Sequence, residues 1–164
     1  MTAPIPGEAA SARPARQDDV QRLAAMYSDA TDELLPMRGG RVLIGLNQRE
    51  APLDKSFVAQ LEDPRQFVVV AVLGDDDVVG YGTCRTLELP EKERVGSIED
   101  LYVVPAARRH GAGRAMAALL VRWCSSEGCT GVDADALPGS RAVKSFFEGE
   151  GFTARLLVMH RPLK

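Results

Sequence analysis

One junction, from Val95 to Ala136, constrains the fold more than any other part of the sequence. A strand-length run ends at Pro105, a loop rich in arginine and glycine spans residues 108–114, and a periodic pattern follows. That pattern predicts a helix over about residues 111–127, because its apolar residues fall on one face: Met116, Leu119, Leu120, Trp123 and Cys124. A short strand over about residues 130–136 comes next. A sheet with helices packed on it is therefore expected.

The flanking sequence extends this pattern into one α/β domain, a mixed sheet flanked by helices. After a flexible leader of residues 1–12, the domain is expected to span residues 13–164 in the order βααβββαβαβ. The other predicted helices cover about residues 18–34 with Asp18 as cap, residues 54–63 stopped by Pro64, and residues 140–149. Residues 35–41 are predicted to form a loop. The other predicted strands are 13–15, 67–73, 78–89, 95–104 and 151–159.

Composition excludes several function classes. A net charge of -3 and a pI near 5.4 argue against nucleic-acid binding. No apolar run approaches the length of a membrane span, so no membrane association is expected. Three cysteines without a CxxC pair and two distant histidines predict no metal site. Unpaired thiols and the lack of a signal peptide favour the cytoplasm.

The loop at residues 108–114, Arg-Arg-His-Gly-Ala-Gly-Arg, carries the chemical information. A helix start exposes backbone N–H groups without internal partners and the positive end of the helix dipole. Gly111 and Gly113 let an anion approach those groups, and Arg108, Arg109 and Arg114 add positive charge. This pattern predicts a phosphate or pyrophosphate site. A surface helix start with glycines for turning and arginines for solubility remains the alternative.

Two familiar phosphate loops do not match. A P-loop requires Gly-Lys-Ser/Thr, whereas Arg114 and Ala115 follow Gly113. A dinucleotide fingerprint requires a third glycine where this chain has Met116. A nucleotide-phosphate binder is therefore disfavoured.

The strand and the loop together resemble the acetyl-CoA signature of the GNAT superfamily of N-acetyltransferases. The usual string there is close to Leu-Tyr-Val-x-Pro-x-x-Arg-x-x-Gly-x-Gly, and every fixed position matches: Leu101, Tyr102, Val103, Pro105, Arg108, Gly111 and Gly113. Weaker similarity covers Arg13 to Val20 and Ala142 to Phe152. The resemblance implies the acyl-CoA N-acyltransferase fold over nearly the whole chain.

By this resemblance, acetyl-CoA is the co-substrate and the loop holds its pyrophosphate. The implied contacts are Leu101, Tyr102, Val103, Arg108, Arg109, His110, Gly111, Ala112, Gly113, Arg114 and Phe147. The strand at residues 101–103 would pair with the pantetheine arm. The Val103 N–H would bond the thioester carbonyl and stabilise the negative charge that develops there.

Glu99 is the candidate general base, because a protonated substrate amine must lose a proton before it attacks a thioester. Strand alternation is expected to place it on the face of Leu101 and Val103 and to place Asp100 on the opposite face. In several family members a glutamate at this place acts through water. The alternative for Glu99 is a solvated strand carboxylate.

The family's usual general acid is missing. A tyrosine often stands four residues before the C-terminal Gly-Phe, and here that position is Phe147. Gly139 replaces a frequent asparagine. Tyr81 and Tyr102 are alternative donors, and water could also protonate a thiolate whose conjugate acid resembles cysteine.

The sequence thus predicts an N-acetyltransferase that acts on a primary amine of a small molecule or protein. A non-catalytic acyl-CoA-binding module is the alternative that Phe147 and Gly139 favour. Acidic residues at 29, 32 and 33 favour a cationic acceptor, whereas Arg38 and Arg41 favour a carboxylate. Association into a homodimer is left open.

Overall fold

The computed structural model describes residues 9–163, which form a five-stranded sheet with helices on both faces. The strands are β1 (Ser11–Pro14), β2 (Gln66–Leu73), β3 (Asp77–Glu88), β4 (Arg94–Val103) and β5 (Gly131–Ala134). The helices are α1 (Val20–Leu34), α2 (Gly40–Leu46), α3 (Leu53–Glu62), α4 (Ala112–Ser126) and α5 (Arg141–Gly149). The strands follow one another in chain order across the sheet; β1 to β4 are antiparallel, and β4 pairs with β5 in parallel. The mixed α/β prediction is confirmed.

Helix α4 covers one face of the sheet. Its apolar stripe is buried as predicted, with Met116, Leu120 and Cys124 fully inaccessible to solvent. Cys84 on β3 faces Cys124 with the two sulfur atoms 3.3 Å apart, and both thiols are free. This face is the larger apolar core and fixes the start of α4 against the end of β4.

Helices α1 and α3 cover the other face. Leu23 and Met26 of α1 and Phe57 of α3 are fully buried against Val70 and Tyr81 of the sheet. Because neighbouring residues of a strand point to opposite faces, each β-strand contributes to both cores. The continuous apolar run of β2 follows from burial on both sides.

The entry to α1 differs from the predicted capping box. A 3-10 turn, Gln17–Asp19, precedes α1, and the carboxylate of its last residue, Asp19, accepts the Arg16 N–H at 2.7 Å and forms an ion pair with Arg13 at 2.7 Å. Burial raises the pKa of Asp19, but these hydrogen bonds outweigh burial and hold that pKa below its ordinary value. Asp18 is therefore not the cap. The pairing of Arg13 and Asp19 ties β1 to α1.

Three other boundaries differ from the expectation. Residues 40–46, at the end of the predicted loop, form helix α2. Strand β1 begins at Ser11, inside the expected leader, and residues 1–8 of that leader lie outside the described part of the chain. The predicted last strand at 151–159 is wrong: residues 152–163 have no regular secondary structure. Among residues 9–163, no strand forms backbone hydrogen bonds with this stretch.

The pairing of β4 changes along its length. Its first half pairs with β3 and with β5, from Val95 opposite Gly131 to Ile98 opposite Ala134. Beyond Ile98, β4 pairs with β3 alone. At this transition Cys84 pairs with Ile98 and Thr83 pairs with Asp100, so Glu99 is the extra residue of a β-bulge. The second half of β4 therefore has a free edge.

Candidate active site

The free edge of β4 offers backbone groups to a ligand. Val104 N–H donates to the Val79 carbonyl of β3 at 2.9 Å. Because successive N–H groups along a strand point in opposite directions, those of Leu101 and Val103 point away from β3, towards the free edge. An extended ligand lying there could pair with β4 as an added strand does.

The loop after β4 presents further unpaired donors. Within residues 9–163, no intrachain acceptor is found for the backbone N–H groups of residues 109–114. Arg109 and Gly111 have positive φ angles of 72° and 84°. These left-handed residues turn the chain just before the first residue of α4. The start of α4 therefore carries a run of free backbone N–H groups, which suits a phosphate group.

The two glycines act differently. A Cβ added at Gly111 would meet nothing within 4 Å, so its role is the positive φ. A Cβ at Gly113 would lie 3.4 Å from the Phe146 ring of α5. That distance is an ordinary van der Waals contact, so packing against α5 does not by itself require glycine at position 113.

The arginines of the loop are engaged elsewhere. Arg108 donates to the Val103 carbonyl at 2.9 Å and forms an ion pair with Glu33 of α1 at 2.7 Å. Arg114 forms an ion pair with Glu150 at 2.7 Å. Arg109 is exposed and has no ion pair among residues 9–163. In this arrangement the unpaired donors of the loop are its backbone N–H groups, whereas two of the three predicted arginines are held in ion pairs.

His110 belongs to the loop framework. Its Nδ1 lies 3.1 Å from the Arg108 carbonyl, and its own carbonyl accepts the Ala10 N–H at 2.9 Å. Ala112, which begins α4, is buried. Both residues hold the loop against the rest of the domain.

The bulge changes the direction of Glu99. Leu101 and Val103 pack on the α4 side of the sheet. The Glu99 side chain instead lines an open cavity of about 610 Å³ on the side of α3, together with residues 46–52. The expectation that Glu99 shares the face of Leu101 and Val103 is therefore wrong, because the extra residue interrupts the strand alternation.

The surroundings of Glu99 combine burial with mixed charges. The Glu99 carboxylate forms an ion pair with Arg85 of β3 at 2.8 Å, and the Glu99 side chain is 14% exposed. Burial raises the pKa of Glu99 above its ordinary value. The charges of Asp100 and Asp135 raise it further, whereas Arg85 and Arg49 oppose them. A carboxyl group with a raised pKa, next to an open cavity, is suited to accept a proton.

Two residues of the connection between α2 and α3, Asn47 and Arg49, hold the bulge and are called here the clamp. The sequence did not predict this role. Arg49 contacts the Asp100 carboxylate at 2.9 Å, and Thr83 donates to the same oxygen. The Arg49 guanidinium lies 4.0 Å from the centre of the Phe57 ring. Asn47 donates to the Glu99 carbonyl at 3.4 Å. No local motif marks Arg49, because its partners lie far away in the sequence.

No side chain at the usual place can act as the general acid. Phe147 is buried and packs edge-on against Phe152, with ring centres 5.1 Å apart. The Tyr102 hydroxyl donates to Glu33 at 3.2 Å, and burial raises its pKa. The Tyr81 hydroxyl is fully buried, and burial raises its pKa well above the ordinary value.

Neither a metal cluster nor a membrane span is found in the part of the chain that the structure describes. Residues 9–163 contain no group of three or more histidine, cysteine, aspartate or glutamate side chains placed to hold a metal ion. No helix among these residues is both long and apolar enough to cross a bilayer.

Sequence comparison identifies relatives of this chain. A family model described as Acetyltransferase (GNAT) family matches residues 24–152. The chain is also 31% identical over 101 residues to the aminoglycoside N(6')-acetyltransferase type 1 of Klebsiella aerogenes. That match covers 58% of this chain and 66% of the relative, slightly less than two thirds of its length.

Solved structures share the fold at low sequence identity. A variant of the BH1408 protein of Bacillus halodurans superposes with a TM-score of 0.77 at 17% identity, covering 93% of this chain and 99% of that one. An aminoglycoside 6'-N-acetyltransferase of Acinetobacter baumannii gives a TM-score of 0.69 at 13% identity, covering 94% and 99%. The family match covers all the residues that build the loop, the free edge and the bulge. The chain therefore belongs to the GNAT family of acetyltransferases.

Proposed function

We propose that this protein transfers the acetyl group of acetyl-CoA to a primary amine by direct attack in a ternary complex. The observation that carries this proposal is the succession of three features along β4 and the loop that follows it. The Glu99 bulge, the free edge at residues 101–103 and the unpaired amides of residues 109–114 follow one another along the chain, with the turn Pro105–Ala107 between the edge and the loop. Together they provide a base, a strand-like ligand track and an anion site.

The residues present fit acetyl-CoA. The amides of residues 109–114 would hold its pyrophosphate, and Gly111 leaves open space where that group would lie. The free edge at Leu101 and Val103 would hold the amide-containing pantetheine arm. The bound co-substrate supplies an activated acetyl thioester. The Val103 N–H would donate to its carbonyl oxygen.

Glu99 would receive the proton that the acceptor amine loses. The carboxylate faces the cavity, and its raised pKa keeps it a stronger base than an exposed glutamate. A water between Glu99 and the amine is compatible with the open cavity. Since Phe147 has no hydroxyl group, the proposal assigns protonation of the CoA thiolate to solvent, which a thiol pKa near 8.5 allows.

The acceptor is proposed to be a small-molecule or protein amine that enters beside Glu99. Two of the relatives are named for the acetylation of aminoglycosides, which supports an amine on a polar small molecule. The cavity is itself polar, with carboxylate and cationic side chains on its wall: Arg49, Glu50, Lys55, Asp63 and Arg85.

Release of free thiol from acetyl-CoA tests this proposal across aminoglycosides, short diamines and lysine peptides. With an active acceptor, Glu99→Gln is expected to lower kcat by about 100-fold or more, while the CoA dissociation constant stays within about twofold. Glu88→Gln is the matched control, because Glu88 is also paired with an arginine of the sheet but is exposed. Equal loss of turnover and CoA affinity in Glu99→Gln would contradict the role of Glu99.

A non-catalytic acyl-CoA-binding module is the second candidate, and the buried Phe147 favours it. Such a module would bind CoA through the same loop. It would release no thiol above the buffer rate with any acceptor. Tight CoA binding without turnover would select this candidate over the enzyme.

A further inference from the structure

All three cysteines of the chain, Cys84, Cys124 and Cys129, belong to the apolar cluster under α4. Cys84 lies on β3 and Cys124 lies on the last turn of α4, and neither side chain is accessible to solvent. Their sulfur atoms are 3.3 Å apart, and all three thiols are free. Because a disulfide requires about 2.05 Å between its sulfur atoms, a small movement of two side chains would form the bond.

The strand beneath the two buried sulfur atoms leaves room for them. A Cβ added at Gly96 of β4 would collide with the Cys124 sulfur and would lie 3.5 Å from the Cys84 sulfur. Any larger residue at position 96 would therefore displace at least one of the two thiols. Glycine at this position allows the Cys84 and Cys124 side chains to meet directly above β4.

Cys129 connects this buried pair to solvent. It follows the end of α4 and is only partly buried. Its N–H donates to the Cys124 carbonyl at 3.0 Å, which holds the two residues next to each other. Burial raises the pKa of the Cys129 thiol, and the neighbouring Cys124 thiol raises that pKa further. Of the three thiols, Cys129 is therefore the one that a dissolved oxidant reaches directly.

The contact between Cys84 and Cys124 gives the two buried thiols different properties. A hydrogen bond from Cys84 lowers the pKa of Cys124, against the opposite effect of burial. The same hydrogen bond, together with burial, raises the pKa of Cys84. Cys124 is thus the first of the pair to become a thiolate, which is the form that attacks another sulfur atom. Because it adjoins both Cys84 and Cys129, Cys124 can bond to either of them.

We propose that the three cysteines form an oxidation site, which reacts with hydrogen peroxide and ends as a disulfide between Cys84 and Cys124. The Cys129 thiolate attacks the peroxide, the O–O bond breaks, and Cys129 becomes a sulfenic acid as one water leaves. Cys124 then attacks the Cys129 sulfur, which forms an S–S bond and releases a second water. Cys84 finally attacks the Cys124 sulfur and frees the Cys129 thiol. Two thiols thereby lose two electrons and two protons, which reduce one peroxide to two waters.

The disulfide would join two elements that carry the candidate site. Cys84 pairs with Ile98, the residue before the Glu99 bulge, and α4 begins at the anion loop. A bond from Cys84 to Cys124 therefore ties the strand beside the bulge to α4. Because it links residues 40 positions apart, oxidation should raise Tm by about 5–10 °C.

Peptide mapping of the full chain after treatment with hydrogen peroxide tests the proposal, with the remaining thiols alkylated after unfolding. The expected product contains a Cys84–Cys124 disulfide and an alkylated Cys129. Before alkylation it is lighter than the reduced chain by two hydrogen atoms, and dithiothreitol reverses the change. Oxidation confined to Cys129, or a Cys129 bond between two copies, with Cys84 and Cys124 both alkylated, would overturn the proposal.

Two variants test the order of the steps. Cys129→Ser removes the accessible thiol and should slow formation of the Cys84–Cys124 bond at least about tenfold. Cys84→Ala should stop the reaction at a Cys124–Cys129 disulfide. Ser125→Ala, at an exposed position of α4, is the matched control and should oxidise at the wild-type rate. If Cys129→Ser oxidises as fast as the wild type, the oxidant does not enter through Cys129 and the proposed route is wrong.

Discussion

The two halves of β4 have different surroundings although they form one continuous strand. Residues 95–98 are paired on both sides and lie under α4, where Gly96 touches Cys124. Residues 99–103 are paired on one side only. They begin with a bulge that directs the Glu99 side chain towards the cavity that it lines. Residues 95–98, the closed half of β4, are thus part of the rigid sheet. Residues 99–103, the open half, keep backbone and side-chain groups free for a ligand.

Removing the clamp residue Arg49, which holds the open half of β4, should lower the free energy of unfolding more than any other change proposed here. Arg49→Ala leaves the Asp100 carboxylate, 16% exposed, without its cation, and the free energy of unfolding should fall by about 3–5 kcal/mol. Urea denaturation measures this loss. Glu88→Ala removes an exposed ion pair at the closed end and should cost about 0–1 kcal/mol. Equal losses would show that the clamp is an ordinary surface pair.

The next largest loss of stability is expected when a side chain is added at Gly96 in the closed half of β4. A Cβ at Gly96 would lie 2.3 Å from the Cys124 sulfur, so Gly96→Val should destabilise the fold by about 1–3 kcal/mol. The double variant with Cys124→Ala should recover part of this loss, because it removes the clashing sulfur. Gly131→Val, where a Cβ meets nothing within 4 Å, is the control. If Gly96→Val is as stable as the wild type, the packing described for this half is incorrect.

The open half and its loop should control CoA binding. Gly111→Ala strains a residue with φ of +84°, at a cost of about 1–2 kcal/mol. If relief of this strain moves the loop amides, the CoA dissociation constant should rise about tenfold. Gly128→Ala, with φ of +76° at the other end of α4, carries a similar backbone cost away from the loop. Calorimetry should find CoA affinity lowered only in the Gly111 variant; an equal change in both would contradict the assignment.

The smallest expected effect is a shift in the pH dependence of kcat/KM. Arg85 lowers the pKa of Glu99, which burial has raised, so Arg85→Gln should raise that pKa further. A base acts when deprotonated; the acid limb of kcat/KM should therefore move to higher pH, with rates converging at alkaline pH. Arg122→Gln, on the exposed side of α4, should leave the profile in place. An unmoved limb in Arg85→Gln would argue against Glu99 as the titrating base.

Much of the fold was predictable because its signals are local. The apolar run of β2 and the periodic stripe of α4 depend on neighbours within a few residues, and both elements are confirmed. Helix α2 was missed, since Gly39 and Gly40 are typical of a loop and the helix has only seven residues. The strand at residues 151–159 was wrongly predicted, because the β-propensity of a segment does not depend on whether a partner strand is present.

The candidate site was predictable in part for the same reason. The glycine loop has a local signature, and the structure adds that its amides are unpaired. The direction of Glu99 was not predictable, because a bulge depends on the register between β3 and β4. The engagement of Arg108 with Glu33, 75 residues away, likewise follows from tertiary packing.

The four-residue ladder between β4 and β5 has a consequence for the order of folding and opening. Strands β2, β3 and β4 join through short connections, whereas β5 pairs only after α4 has crossed the sheet. A short ladder at the edge of a sheet, with few backbone hydrogen bonds, opens more readily than the paired centre of the sheet. The amides of β5 should accordingly exchange with deuterium sooner than those of β3, so that β5 can separate from β4 while the antiparallel strands stay paired.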